Sequence, residues 1–177
     1  TGYVDRYLLH GLDAQRWKMV RERGLLELLD RWKSQGRAVK VGFSFHDHYP
    51  VFEEILAGYP WDFCQLQLNY MDTEIQAGLK GLALAREKGV PVMVMEPVKG
   101  GLLANPPQAA LEEFQRVSPG QSPAAWALRW AAGLEGVQTV LSGMSARGQV
   151  EENLRLFEDF RPLSREEGEA VSLAVEA

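Results

Sequence analysis

Tyr7-Leu8-Leu9-His10-Gly11 is a short apolar run that stops on an imidazole, and four later runs also end on polar groups. Val39-Lys40-Val41-Gly42-Phe43 leads into Ser44 and His46, Gln65, Gln67 and Asn69 punctuate Phe63 to Tyr70, Val92-Met93-Val94-Met95 ends on Glu96, and Val137 to Leu141 ends on Ser142. Between these runs apolar residues recur at three- and four-residue spacing, the period of a helix. Apolar, β-branched runs alternating with amphipathic helices are the pattern of a parallel sheet built from βα units. Ligands of such sheets gather at the carboxyl ends of the strands. Any one polar tip could be a capped strand end; five in succession predict one shared site.

Strands are predicted near Val4 to His10, Val39 to Phe45, Phe63 to Asn69, Val92 to Glu96 and Val137 to Ser142. The first helix carries Leu25, Leu28, Leu29 and Trp32 and stops at Gly36; others cover Val51 to Leu56 and Gly78 to Lys88, the latter closed by Gly89. Ser122-Pro123 supplies an N-cap and a first-turn proline for a helix burying Trp126, Trp130, Ala131 and Leu134. Ser145 is predicted to cap a helix carrying Val150, Leu154 and Phe157, and Ser164 to begin a last one toward Ala177. Gly100 to Gly120, with a short helical stretch from Ala109 to Phe114, is the longest irregular connection and is expected to be a lid or cofactor strap. No repeat or low-complexity linker divides the chain, so residues 1–177 are expected to form a single domain.

The 177 residues fall short of the roughly 250 that eight βα units occupy. A hydrophobic share of 46% with 24% charged residues is that of a soluble globular protein, and no run approaches the roughly 20 apolar residues of a membrane span. The opening residues lack the pattern of a signal peptide. The net charge of -5 argues against nucleic acid as the main partner. Cys64 is the only cysteine, which excludes an internal disulfide, a Cys-rich zinc site or an iron–sulfur cluster within this sequence and fits a cytoplasmic location.

Two segments suit anions. Met95-Glu96-Pro97-Val98-Lys99-Gly100-Gly101 runs from a strand end into a glycine pair, where backbone N–H groups could approach an anion and Lys99 could add charge; a plain turn is the other reading. Ser142-Gly143-Met144-Ser145 enters a helix whose first turns carry Gln149, Glu152 and Asn153, and a helix N-terminus favours phosphate. Two adjacent anion sites would suit a dinucleotide, although neither matches G-x-G-x-x-G. His46-Asp47-His48 together with His10 suggests a second possibility, a barrel metal-dependent hydrolase. A Ser-His-Asp set from Ser44, His10 and Asp47 has no G-x-S-x-G elbow to support it.

Taken in order and spacing, Asp5 to His10, Gly42 to Asp47, Cys64 to Tyr70, Met95-Glu96-Pro97 with Gly100 to Ala104, Ser122 to Trp130, and Leu141 to Met144 with Gln149 to Asn153 resemble the aldo/keto reductase family. More specifically, they resemble a bacterial and archaeal group with a ferredoxin-like tail, and the likeness runs from Tyr3 to about Leu156. The resemblance implies an α/β fold, a partial (β/α)8 TIM barrel with about five parallel strands each followed by a helix, corresponding to the family's fourth to eighth units. It implies NAD(P)H-dependent reduction of a small-molecule carbonyl, with NADP(H) as cofactor and NAD possible, and no metal.

By the same resemblance His10 is the catalytic histidine that orients the carbonyl. Its tyrosine, lysine and aspartate partners belong to three N-terminal units that this sequence lacks, as it lacks the tail. The chain is therefore expected to be incomplete, inactive alone, and prone to pair through open sheet edges with itself or a missing half. Ser44 and Gln65 correspond to groups holding the nicotinamide carboxamide, and Met95 to the position that stacks on the ring. Glu96, Pro97, Val98, Gly100 and Gly101 would follow the pyrophosphate, with Ser142, Gly143, Met144, Gln149, Glu152 and Asn153 toward the adenosine. Gln149 and Gly143 stand where many members carry arginine and lysine. The alternative is a non-catalytic dinucleotide-binding or assembly module.

Overall fold

The computed structural model describes residues 2–176. Its strands are β1 (Val4–Leu12), β2 (Ala38–Phe45), β3 (Phe63–Gln67), β4 (Val92–Met95) and β5 (Val137–Val140), neighbours in that order in one sheet. Helices fill the intervals: α1 (Ala14–Glu22), α2 (Leu25–Ser34), α3 (Tyr49–Ala57), α4 (Gly78–Glu87), α5 (Gln108–Val117), α6 (Pro123–Ala132), α7 (Arg147–Glu158) and α8 (Arg165–Glu176), with a short 3-10 helix at Lys99–Ala104. All five predicted strands are present. The chain divides into two compact units, one running to Gln67 and including Glu74–Met93, the other made of Leu68–Thr73 and the residues from Val94 onward.

In the first unit β1 pairs parallel with β2, and β2 with β3. Alternate residues of β2 point to opposite faces, and both faces are buried from Val41 to Phe45, as a central parallel strand requires. Phe43 lies 4.9 Å from Trp61 and 6.0 Å from Phe52, while Phe45 meets Phe52 edge-on at 5.3 Å. Aromatic pairs of this kind add about 0.5–1.5 kcal/mol beyond the area they bury. Gly42 is obligatory for a different reason, because a Cβ there would stand 2.5 Å from the Phe63 carbonyl oxygen.

A helix that no sequence period announces, α1, precedes α2. Its N-cap is Asp13, whose Oδ1 accepts from the Arg16 amide at 2.7 Å, and only Trp17 and Val20 are buried among its residues. The Asp47 carboxylate accepts from the Ala14 amide at 2.9 Å and from the His48 amide at 2.7 Å, which pins the end of β2 to the start of α1. These two amide hydrogen bonds hold its carboxyl below the ordinary range.

In the second unit Phe114, stacked on Trp126 at 4.5 Å, anchors a core with Tyr70, Leu103, Ala127 and the α8 residues Ala170, Val171 and Ala174. Residues 100–120 are consequently more regular than expected. Most of them fold into the 3-10 helix and α5, because Ala110 and Phe114, four apart, find a buried partner face on α8. Ser122 caps α6 as predicted, its Oγ accepting from the Ala125 amide. Ser164 and Glu167 form a reciprocal capping box on α8. Ser145 does not cap α7. The N-cap is Ala146, and the Gln149 carboxamide oxygen accepts from both the Ser145 and Ala146 amides.

The buried Arg129 of α6 binds Glu167 of α8 through both terminal nitrogens, at 2.6 and 2.8 Å, and donates further to the Arg161 and Pro162 carbonyls and to Gln121. Those hydrogen bonds from Arg129 outweigh the effect of burial and, with the Ser164 amide, lower the Glu167 carboxyl to about 2. The pair ties the C-terminal helix to α6, and two other α6 residues, Ala124 and Leu128, wall the cavity described below.

Candidate dinucleotide cavity and strand-end residues

The second unit contains a cavity of about 230 Å³. One wall is the turn after β4, where Glu96, Pro97, Val98, Gly100 and Gly101 line it; the facing wall is the segment after β5, where Ser142, Gly143, Met144, Gln149, Glu152 and Asn153 line it. These two segments are the ones the sequence singles out for anion binding. Met95 is half-buried and does not line the cavity.

The turn is unusual in backbone conformation. Glu96 (φ 57°), Lys99 (50°), Gly100 (62°) and Gly101 (96°) all have positive φ, a region costly to non-glycine residues. A network within the same unit holds it. Asn69, fully buried, donates through Nδ2 to the Glu96 carbonyl and to Asp72, and its Oδ1 accepts from the Met71 and Asp72 amides. Asp72 in turn forms an ion pair with Lys99. Asn69 is thus a structural hub, and Lys99 is not the anion-binding charge expected of it: its ammonium is turned to a buried carboxylate 27 residues earlier.

Bare backbone forms the cavity surface at several points. A Cβ at Gly101 or Gly143 would meet nothing within 4 Å, and one at Gly100 only the Glu96 carboxylate at 3.9 Å. A ligand can therefore approach the main chain closely. The Gly101 amide donates to the Val98 carbonyl, so the glycine turn contributes close approach more than donors. The facing wall includes Gln149, Glu152 and Asn153 from the first turns of α7. Asn153 Nδ2 donates to Ser142 Oγ at 3.0 Å and fixes the loop entering the helix. The volume suits part of a dinucleotide rather than all of one.

The remaining predicted residues lie at strand ends of the first unit. His10 is exposed on β1, next to a register shift between Leu9 and Leu12 against β2. Gly11, at φ 65°, occupies that irregularity, and its amide donates to the buried Ser44 Oγ at 2.7 Å. A bulge of this kind re-aims the neighbouring side chain. Ser44 thereby has its oxygen engaged as an acceptor and keeps its hydroxyl proton to donate. Its partner across the β2–β3 ladder is Gln65, half-buried, so the serine and the amide are register neighbours. The lone Cys64, next to Gln65, is buried and its thiol is pushed up to about 12 by that burial. Among the described residues no three His, Cys, Asp or Glu side chains converge into a metal-binding group. None of the described helices is long and apolar enough to cross a membrane.

Five strands in one sheet alternating with helices define an α/β protein of the barrel type. The chain belongs to the aldo/keto reductase family, whose model matches residues 1–175. It is similar to the holo form of an aldo-keto reductase from Bacillus halodurans, at 24% identity and a TM-score of 0.78, covering 98% of this chain and 62% of that one. The apo form of that protein gives 25% identity and a TM-score of 0.75, with the same coverage of both chains. A thermostable aldo-keto reductase in complex with the inhibitor epalrestat gives 22% and 0.76, covering 98% of this chain and 61% of that one. The chain thus spans about three fifths of the length of these solved relatives, and its fold matches part of a (β/α)8 barrel. No curated protein matches the sequence.

Proposed function

We propose that the chain is the cofactor-binding portion of a nicotinamide-dependent reductase of small carbonyl compounds, its cavity holding the pyrophosphate and adenosine end of NADP(H) or NAD(H). The observation that carries this reading is that the glycine turn after β4 and the start of α7 line one cavity with exposed main chain. When bound, such a cofactor supplies a hydride to a carbonyl carbon. The chain's own residues bind and orient. Asn69 and the Lys99–Asp72 pair hold the positive-φ turn open for close approach, and the α7 amides meet the anion.

In the first unit His10 is the group assigned to the substrate oxygen, with Ser44 and Gln65 assigned to the carboxamide. The exposure of the imidazole and the register of the serine–amide pair support that assignment. Exposed Tyr3 and Val4 at β1, and exposed Val150, Leu154 and Phe157 on α7, support association with a second copy or a complementary segment. A buried, unpaired thiol suits a reducing cytoplasm.

Calorimetric titration of the 177-residue chain with NADH and NADPH tests the reading. Saturable binding is expected, and it should be lost in Gly143→Phe, which fills the cavity at a position with open space around its Cβ. Binding of neither nucleotide would refute it.

A further inference from the structure

Gly11 follows His10 directly and lies inside the register shift between Leu9 and Leu12, so its conformation decides how the histidine is presented at the end of β1. Glycine takes positive and negative φ about equally readily, and partners outside the strand must select the observed 65°. Two side chains do so. The buried Ser44 Oγ of β2 accepts from the Gly11 amide at 2.7 Å, and Arg16 Nη1 of α1 donates to the Gly11 carbonyl at 2.8 Å. Both backbone polar groups of the bulge residue are thereby clamped.

We infer that Arg16 is a positioning residue for His10, acting through the Gly11 carbonyl, on the reading that His10 addresses the substrate oxygen. Arg16 is itself fixed. The two N–H bonds of Nη1 serve the Gly11 carbonyl and Asp13 Oδ2, the latter at 2.8 Å. Asp13 Oδ1 meanwhile accepts from the Arg16 backbone amide at 2.7 Å as the cap of α1. Asp47, just beyond β2, accepts from the Ala14 amide at 2.9 Å, and the His46 amide donates to the Leu12 carbonyl at 2.9 Å. The start of α1 and the bulge are thus tied to the same strand end that carries Ser44.

The Arg16 side chain is 59% exposed, so its ion pair with Asp13 adds little to stability. What a guanidinium held between a helix cap and a bulge carbonyl supplies is geometry. If Arg16 served α1 alone, as the local partner of Asp13, removing its side chain would leave His10 where it is. The two roles therefore differ in a measurable way.

The chain has three histidines, so each imidazole can be followed separately by NMR at a fixed pH. Arg16→Ala keeps the backbone amide that Asp13 caps, and its unfolding midpoint should stay close to that of the wild type. The His10 ring signals are expected to move and the Gly11 amide to exchange about tenfold faster, as loss of a charge-assisted hydrogen bond on the same residue permits, while the His48 signals stay in place. Arg16→Lys, which restores a cation able to donate to the carbonyl, should recover part of both effects.

Unchanged His10 signals or unchanged Gly11 exchange in Arg16→Ala would overturn the inference, as would equal shifts at all three histidines, the mark of a general loosening. The reading of His10 is tested separately in the wild type with NAD+ and cyclohexanone, which cannot react with each other and should together shift the His10 ring signals. A His10 ring that does not respond to the pair would overturn the carbonyl reading and leave the Arg16 clamp standing.

Discussion

Replacing Glu167 by glutamine should remove about 3 kcal/mol of stability at neutral pH. Both members of the Arg129–Glu167 pair have side chains only 10% exposed, and the contact is bidentate. Loss of one partner leaves a buried guanidinium with its charge uncompensated, which costs about 3–5 kcal/mol in comparable settings. The carboxyl's pKa gives an independent figure. It is lowered from 4.5 to about 2 by the hydrogen bonds from Arg129, and at about 1.4 kcal/mol per pH unit that is again about 3 kcal/mol. Because the folded value lies below the ordinary one, the contribution is complete above about pH 4.5 and is withdrawn as the pH falls from there toward 2.

Urea unfolding of wild type and Glu167→Gln at pH 7, 4.5 and 3 measures both effects. The gap between the two proteins should be widest at pH 7 and should shrink through the acid range. A loss under about 1 kcal/mol, or two pH profiles that run parallel, would refute the reasoning, since a strongly paired carboxylate cannot be removed without changing the linkage.

Gly42→Ala should destabilise the first unit by about 1–3 kcal/mol, because the added methyl meets the Phe63 backbone carbonyl at 2.5 Å rather than a side chain that can move; an unchanged urea midpoint would contradict this. Cys64, whose thiol is raised to about 12 in a fully buried site, should resist a disulfide reagent at pH 8 in the native protein and react at once in denaturant, and rapid native labelling would contradict its placement.

The strands and the two cavity walls are legible in the sequence because their signals are local: apolar runs of strand length, a glycine pair after β4, a serine–proline start to α6, and polar residues at the opening of α7. Features set by distant partners are not. Lys99 reads as a free cation until the fold presents Asp72, 27 residues away. The helix predicted over Ala109 to Phe114 extends from Gln108 to Val117, since α5 owes its stability to the face of α8 that buries Ala110 and Phe114.

The first helix, α1, is hard to see for a different reason. With only Trp17 and Val20 buried, its apolar stripe is too narrow to register as a period, although Asp13, three residues ahead of Arg16, is an available N-cap signal. The Ala146 cap is hidden because the acceptor is the side chain of Gln149, inside the helix, and Ser145 offers the more familiar pattern. Asn69 shows the limit of reading polar strand ends as ligand groups: it is engaged with the protein's own backbone, and what it contributes is the shape of a neighbouring turn.

Amide hydrogen exchange of the chain with and without saturating NADH tests the central claim most directly. Protection confined within the second unit to residues 96–104 and 141–153, the turn after β4 and the start of α7, is the result predicted; exchange in both segments unchanged at a concentration that saturates binding would contradict it.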